Sequence, residues 1–248
     1  MLHYLADKVP QRKSMSIVQL SEAKALTGGF YTVSEVARLL KIDSEPRIRG
    51  WLRGYGNNAG PVIERQYPRR GAFDEVGFYD LMEIRFIEYF RRQKISLQSI
   101  RKAAEVARKE LGHRHPFALS DVKFVTDRKR IFHLTAEQTN DAKLRDLVTG
   151  QYAMYDVIER YLAKGIEFNP GSGLAEYWRP DAAKFPNVVL DPTKAHGQPV
   201  LDDYEVPTSV LFGLWRAEDQ DYDAVADWYE IPREKVEQAV EYEIDLAA

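Results

Sequence analysis

The sequence predicts a mainly α-helical α+β protein in which two helical units flank a block of short β-prone segments. Capped amphipathic patterns fill residues 30–115 and recur beyond residue 207, whereas Gly- and Pro-broken extended segments lie between them. At 248 residues the chain is long enough for two or three small domains. We expect an N-terminal extension over 1–29, a helical unit of the size of a small DNA-binding domain over 30–115, a small α+β linker or dimerisation block over 116–185 and an acidic three-helix domain over 186–248.

Charge is distributed unevenly along the chain. Residues 1–115 carry 21 Lys and Arg against 13 Asp and Glu, residues 116–194 carry 11 of each, and residues 195–248 carry three against 14. The formal net charge of −3 therefore combines a basic front with an acidic rear. The basic front can neutralise phosphates and release counterions, whereas the acidic rear would repel nucleic acid. This division predicts two different partners.

Several classes of function are not expected from the composition. The sequence has no apolar run of about 18 residues, which argues against a membrane span, and no secretory signal is evident. The absence of cysteine excludes disulfides and thiolate chemistry and fits a reducing cytoplasm. Together with the basic front, we expect a cytoplasmic, nucleoid-associated protein. Neither a P-loop, a dinucleotide-binding glycine motif nor a nucleophile elbow occurs, so we expect no enzyme and no cofactor.

The five histidines do not predict a metal site. His113 and His115 lie at a predicted helix end without a cysteine or a nearby carboxylate to complete a ligand set. His133 falls in a predicted strand and His196 in a turn, where both are expected to be structural.

Residues 31–53, YTVSEVARLLKIDSEPRIRGWLR, predict two helices joined by a tight turn. Thr32 is expected to cap the first helix and Ser44 the second, with Pro46 in a first turn that needs no N–H donor. The second helix should bury Ile48, Trp51 and Leu52. Its outer face then carries three guanidinium groups, which suit the major groove of DNA: Arg47, Arg49 and Arg53.

A glycine-rich stretch after residue 53 contains β-prone Val62, Ile63 and Tyr67 and predicts a short hairpin, or wing, whose arginines lie along a phosphate backbone. Ser34 either donates to a phosphate or is an ordinary surface serine. The complete set of predicted DNA contacts is Thr32, Ser34, Arg47, Arg49, Arg53, Arg65, Arg69 and Arg70. Two further helices follow, and Ser96 is expected to cap the second of them.

This order resembles the MerR and excisionase superfamily of winged helix-turn-helix regulators. The stretches that carry the resemblance are TVSEVARLL, RIRGWLR and DLMEIRFIEYFRRQKISLQSIR, within residues 30–111. MerR proteins usually continue into a long dimerisation helix, whereas this chain breaks at Gly112 and Pro116. The resemblance implies a winged helix-turn-helix that binds double-stranded operator DNA.

The middle block predicts a small α+β unit. DVKFVTD and KRIFHLT are expected to be strands around a turn at residues 127–129, GQYAM a third strand, and VIERYLAK a helix capped by Asp156. IEFNP, LAEYWRP and NVVLDP are short extended segments broken by Gly and Pro.

The acidic rear predicts three helices that begin near Thr208 or Ser209, after Asp221 and at Pro232. The pattern DP…GQPV…VPTSVLFGL…VADWYEIPREKVEQAVEYE, over residues 186–244, resembles a small family of unknown function common in VapB-type antitoxins. The resemblance implies a PIN-like ribonuclease toxin as partner. Expected toxin contacts are Trp215, Asp219, Asp221, Trp228 and Tyr229. Alternatively the acids form a solvated face and the aromatics the core of a small helical unit.

These expectations combine into a DNA-binding antitoxin of a type II toxin-antitoxin system, a homodimer that neutralises its toxin and represses its own operon. One alternative is a stand-alone MerR-like transcriptional regulator without a toxin. Another is a protein-interaction adaptor that has lost DNA binding. We also expect the front block to bind DNA without residues 195–248 if dimerisation lies elsewhere in the chain.

Overall fold

The computed structural model describes residues 28–56, 60–69, 71, 74–119, 131–132, 134–142, 144–145 and 163–247. Over this part the chain is an α+β protein with a five-stranded antiparallel sheet, as the sequence predicts at the level of fold class. The helices are α1 (Val33–Leu39), α2 (Glu45–Arg53), α3 (Phe78–Arg92), α4 (Leu97–Leu111), α5 (Thr208–Ala217), α6 (Tyr222–Tyr229) and α7 (Arg233–Ala247). The strands are β1 (Ile166–Phe168), β2 (Ala175–Trp178), β3 (Val188–Leu190), β4 (Pro199–Leu201) and β5 (Val206–Pro207).

Helices α1 and α2 form the predicted helix pair. The Thr32 hydroxyl accepts from the Glu35 amide at 3.2 Å, and the Glu35 carboxylate accepts from the Thr32 amide at 2.7 Å. This reciprocal capping box satisfies two donors that the first turn would otherwise leave free. Ser44 occupies the N-cap position of α2, although its hydroxyl makes no capping hydrogen bond. The inner face of α2 is buried as expected, at Ile48, Trp51 and Leu52.

Helix α3 is the centre of the N-terminal unit and is buried on nearly every side. Ser96 caps α4 by accepting from the Ser99 amide at 3.0 Å, as predicted. Gly112, with a φ of 62°, ends α4 in a left-handed conformation that favours glycine. A short 3-10 helix over Pro116–Ala118 then packs against α3 and α4.

The predicted wing hairpin is not confirmed. The described residues between 60 and 76 contain no strand, and an isolated antiparallel bridge pairs Tyr31 with Val76 instead. Val62 and Ile63 are buried, and both amides donate to the Trp51 carbonyl, at 2.9 and 3.3 Å. These residues therefore pack beneath α2 as irregular chain.

The strand predicted for KRIFHLT is wrong, because its residues 131–132 and 134–135 are helical and the helix continues to 139. Ile131, Phe132 and Ala136 are buried in helical spacing, and the Thr135 hydroxyl donates to the Ile131 carbonyl at 2.7 Å. The apolar run IFHL fits either structure locally, so packing against α3 and α4 decides it. DVKFVTD, GQYAM and most of VIERYLAK, together with His133 and the extension over 1–27, lie outside the described residues.

The sheet is a meander in which each strand pairs with its neighbour in sequence. Trp178 of β2 pairs with Leu190 of β3, and Val189 of β3 pairs with Val200 of β4. The sheet therefore continues across the domain boundary expected between residues 185 and 186. Helices α5 and α7 pack on β4, and their cover buries every residue of β3 and β4.

The three predicted C-terminal helices are present. The Asp221 carboxylate caps α6 by accepting from the amides of Asp223 and Ala224. Neither Thr208 nor Ser209 caps α5, because α5 begins at Thr208 after Pro207 and the Thr208 side chain is used elsewhere. Its hydroxyl donates to the Glu243 carboxylate of α7, which ties α5 to α7 inside the unit.

The N-terminal unit and α7 meet at a junction that we define by Tyr31, Arg38, Gly197 and Glu243. The Arg38 guanidinium contacts the Glu243 carboxylate at 3.0 Å, and the Tyr31 hydroxyl donates to the Gly197 carbonyl at 2.7 Å. Burial raises the pKa of Tyr31 well above its ordinary value, so the phenol stays a donor. The front block thus shares buried contacts with residues 195–248, and whether it binds DNA without them stays a prediction.

Candidate DNA-binding surface and partner surface

The three predicted arginines of α2 lie on its outer face. Their side chains are 47% (Arg47), 40% (Arg49) and 34% (Arg53) exposed. Each guanidinium also has an acidic partner in the protein. Arg47 pairs with Glu88, Arg49 with Glu45 at 2.7 Å, and Arg53 with Asp74 at 2.9 Å. The helix therefore presents three arginines whose positions are held by carboxylates behind them.

Asp74 is the centre of this arrangement, and the sequence analysis missed it. Its side chain is 1% exposed and accepts from Arg53 at 2.9 Å and from Arg65 at 3.2 Å, with Arg49 at 3.9 Å. A buried carboxylate needs such partners because an unpaired charge would be costly to desolvate. The sequence did contain one signal: Asp74 is an acidic residue that follows an arginine-rich stretch, so it could pair with those arginines.

The wing arginines differ from one another. The Arg65 side chain is 11% exposed and donates to the Glu75 carbonyl at 2.8 Å, so it lies inward and fixes the chain near Asp74. Arg69 is exposed. Arg70 lies outside the described residues. Of the predicted wing contacts, Arg69 is the one that the described part presents to solvent.

Thr32 and Ser34 lie beside Arg49 at a cavity of about 270 Å³ between α1 and α2. The Thr32 hydroxyl is engaged in its capping box, and the Ser34 hydroxyl donates to Glu45 at 2.5 Å, which links the two helices. Hydrogen bonds from Ser34 and Arg49 lower the pKa of Glu45. The structure thus brings Thr32, Ser34 and Arg49 together, with carboxylates among them.

The expected toxin contacts fall into two groups. Trp228 is 73% exposed and Tyr229 is 38% exposed, and both lie at the C-terminal end of α6. Trp215 is instead half-buried, with ring centroids 5.9 Å from Phe212 and 5.4 Å from Tyr222. Trp215 therefore packs within the helical unit, as the alternative interpretation had it.

Carboxylates surround the exposed aromatics, and we call residues 216–230 the acidic surface. It holds one arginine against six Asp and Glu. Asp221 is used as a cap, and Asp223 pairs with Arg233 at 2.5 Å. Among the described residues, no ion pair is formed by Glu218, Asp219, Asp227 or Glu230. An acidic surface in which these four carboxylates form no such ion pair, around an exposed tryptophan, fits a basic partner.

Glu243 is a second residue that the sequence analysis missed. It is 3% exposed, on the same face of α7 as buried Val236 and Val240. An acid in an apolar stripe was the available signal, since a charge at such a position needs a partner. Its partners, Thr208 and Arg38, come from distant parts of the chain.

The described residues contain neither a membrane-spanning helix nor a metal-binding cluster. None of the helices there combines the length and apolarity that crossing a membrane requires. The same residues hold no cluster of three His, Asp or Glu side chains placed to bind a metal ion.

Known proteins match this chain over both its tail and nearly its whole length. Residues 188–242 match the model of a family described as "Protein of unknown function (DUF433)". A Mycobacterium tuberculosis protein described as "Putative antitoxin VapB45" is 28% identical over 230 residues, which covers 86% of this chain and 92% of the relative. The uncharacterized protein Rv2308 of the same organism is 25% identical over 240 residues, covering 93% and 94%.

A solved structure shares the fold. The crystal structure of Rv2018 from Mycobacterium tuberculosis superposes with a TM-score of 0.65 at 28% identity, covering 85% of this chain and 96% of that one. Together with the tail match, these similarities support a VapB-like antitoxin domain, for which the C-terminal pattern was the sequence evidence. The resemblance of the N-terminal unit to MerR and excisionase proteins stays a prediction.

Proposed function

We propose that this protein is a DNA-binding antitoxin of a type II toxin-antitoxin system. Its N-terminal helices bind operator DNA, its acidic surface binds and neutralises a PIN-like ribonuclease toxin, and a homodimer represses the operon. The observation that carries the proposal is that one chain has both an arginine face on α2 and, elsewhere, the acidic surface of residues 216–230. The similarity to a protein described as an antitoxin supports the toxin half.

DNA binding uses Arg47 and Arg49 as the groups that reach the bases. The Arg49–Glu45 pair is partly exposed on both sides, so it is worth about 0–1 kcal/mol and exchanges readily for a phosphate or a guanine edge. Glu88, the partner of Arg47, is buried, but it keeps its ion pair with Arg92 when Arg47 turns to DNA. Arg53 is held by buried Asp74 and suits a fixed phosphate contact. A dimer would read two half-sites about one helical turn apart.

Toxin binding uses the acidic surface. Unpaired carboxylates steer a basic partner towards it, and the exposed rings of Trp228 and Tyr229 provide apolar area to bury. Asp221 contributes by capping the first turn of α6, the helix whose C-terminal end carries these two aromatic side chains.

The test of the DNA half compares two double variants of the full chain. Arg47→Ala with Arg49→Ala removes two cations from α2, and Lys102→Ala with Lys109→Ala removes two from α4 as a charge-matched control. Binding to the protein's own promoter and to scrambled DNA is measured over a salt series. The native protein should prefer the promoter, with a log–log slope of roughly −0.9 per phosphate neutralised.

The α2 variant should lose the preference for promoter DNA, whereas the α4 control should keep it. An unchanged footprint in the α2 variant would remove this helix from base reading. Promoter binding without capture of any protein encoded beside this gene would favour the stand-alone regulator. Weak, equal binding to both DNAs with capture retained would favour the adaptor.

A further inference from the structure

The outer face of α2 contains a position without a side chain. Gly50 lies three residues after Arg47 and three before Arg53, and residues at this spacing are neighbours on one face of a helix. Gly50 is nevertheless buried. The ring of Tyr55, which follows the helix in the chain, covers it. An aromatic side chain therefore lies on the same face of α2 as the arginines.

Two glycines determine where the Tyr55 ring lies. Gly54 ends α2 with a φ of 87°, a conformation that favours glycine, and the next residue folds back over the helix. A β-carbon at Gly50 would lie 2.5 Å from the Tyr55 hydroxyl oxygen and 2.6 Å from its Cε1, which is closer than such atoms approach in proteins. The ring can rest on α2 with its hydroxyl end against the helix because residue 50 is glycine.

The Tyr55 side chain is not hidden by this packing, since the residue is 42% exposed. Its ring thus offers apolar surface between Arg47 and Arg53, whose side chains are also partly exposed. Guanidinium groups suit guanine edges and phosphates, whereas the apolar group that a base presents in the major groove is the C5-methyl of thymine. An aromatic ring on this face complements the arginines because it suits that methyl group.

We propose that Tyr55 is a specificity-determining residue of the DNA-binding surface, and that its ring packs on the methyl group of an operator thymine. The inference rests on the proposed binding of DNA through α2 and adds one base contact to it. Gly50 is the positioning residue of this contact, because it leaves the space that the ring occupies. Burial of one methyl group corresponds to roughly fourfold in affinity.

The experiment measures binding of the full-length protein to three DNAs: its own promoter, scrambled DNA, and the promoter with deoxyuridine in place of thymidine, which lacks the methyl groups. The native protein should bind the deoxyuridine promoter at least about fourfold more weakly than the normal one. Tyr55→Ala should lose a similar factor on the normal promoter, respond about fourfold less to deoxyuridine, and bind scrambled DNA as the native protein does. Tyr55→Phe keeps the ring and should behave as the native protein.

Gly50→Ala separates the positioning of Tyr55 from stability. Alanine is the better helix former, so the urea midpoint should not fall. The added β-carbon displaces the Tyr55 ring, so the preference for the promoter should fall as it does in Tyr55→Ala. Combining the two substitutions should lose no more than Tyr55→Ala alone. Gly213→Ala is the matched control, at an α5 glycine with open space around the new β-carbon, and should leave promoter binding unchanged.

Three results would overturn the inference about Tyr55. The first is a Tyr55→Ala variant that keeps the native preference for the promoter. The second is an equal response of the native protein and Tyr55→Ala to deoxyuridine. The third is equal weakening on promoter and scrambled DNA, which marks a phosphate contact. A native protein that binds promoter and scrambled DNA equally would instead refute the proposed operator binding itself, so the two failures are distinguishable.

Discussion

Replacing Arg38 by alanine tests the junction between the N-terminal unit and α7. The Glu243 side chain is 2% exposed and lies 3.0 Å from the Arg38 guanidinium. Removing one partner of a fully buried ion pair costs about 3–5 kcal/mol. Arg38 is 42% exposed, and Glu243 keeps its hydrogen bond from Thr208, so water and the hydroxyl offset part of the loss. We expect a decrease in unfolding free energy of about 2 kcal/mol, below the fully buried range.

A double-mutant cycle isolates the contact itself. Glu243→Gln retains an acceptor for Thr208 but no longer leaves a buried charge, so adding Arg38→Ala to it should cost little. We expect a coupling energy of about 1.5–2 kcal/mol by urea unfolding, within the range seen for contacting residues. The matched control is the neighbouring exposed pair Lys41 and Asp245, where a coupling of about 0.5 kcal/mol or less is expected.

Additive effects of Arg38→Ala and Glu243→Gln, within about 0.4 kcal/mol, would refute the reasoning. They would mean that the ion pair is not formed in solution and that the N-terminal unit is held by other contacts. Equal coupling in the exposed pair and in the buried pair would also refute it, because burial would then not be the cause.

Two further predictions concern the acidic surface and pH. Trp228→Ala should leave stability within about 0.5 kcal/mol, because the ring is 73% exposed, yet weaken toxin binding by about 2 kcal/mol or roughly 30-fold. Tyr55→Ala, at another exposed ring, should leave toxin affinity unchanged, and equal effects would argue against the surface. Burial raises the pKa of Asp80 to about 6 in the folded protein. Protonation of Asp80 therefore stabilises the fold fully at a pH below the pKa of this side chain in the unfolded chain, and this contribution is lost as the pH rises through about 6. When the pH is lowered from 7.5 to 5, the free energy of unfolding of the native protein, measured with urea, should rise by about 1 kcal/mol more than that of Asp80→Asn. Parallel pH profiles of the two proteins would contradict this.

Local signals in the sequence predicted the helices well. Caps such as Thr32, Ser96 and Asp221 act within three residues, so the sequence alone contains the interaction that starts each helix. The burial of Trp51 opposite the α2 arginines followed from 3.6-residue spacing in the same way. Where these arginines contact DNA stays a prediction.

Long-range contacts were not predictable in this manner. Asp74 gathers arginines from α2 and from the chain after it, and Glu243 pairs with a residue 205 positions away, so neither partner is visible in a local window. The sequence prediction placed a domain boundary at residue 185, inside the sheet, because strands of two to four residues give weak sequence patterns. Which strands belong to one sheet depends on their pairing, which those patterns do not show. The segment KRIFHLT was predicted to be a strand because its apolar run has high β-propensity, but packing outweighs that propensity and its residues 131–132 and 134–135 are helical.

The bond between Arg38 and Glu243 has a consequence for synthesis on the ribosome. Residues separated by 205 positions are made about 10–40 s apart at ordinary elongation rates. During that interval the residues of α1 and α2 have been made but those of α7 have not, and until residue 197 is made the Tyr31 hydroxyl lacks the Gly197 carbonyl to which it donates in the folded protein. A nascent N-terminal unit therefore lacks its junction until the acidic surface has also been made. The N-terminal unit is therefore completed only when the acidic surface is present in the same molecule.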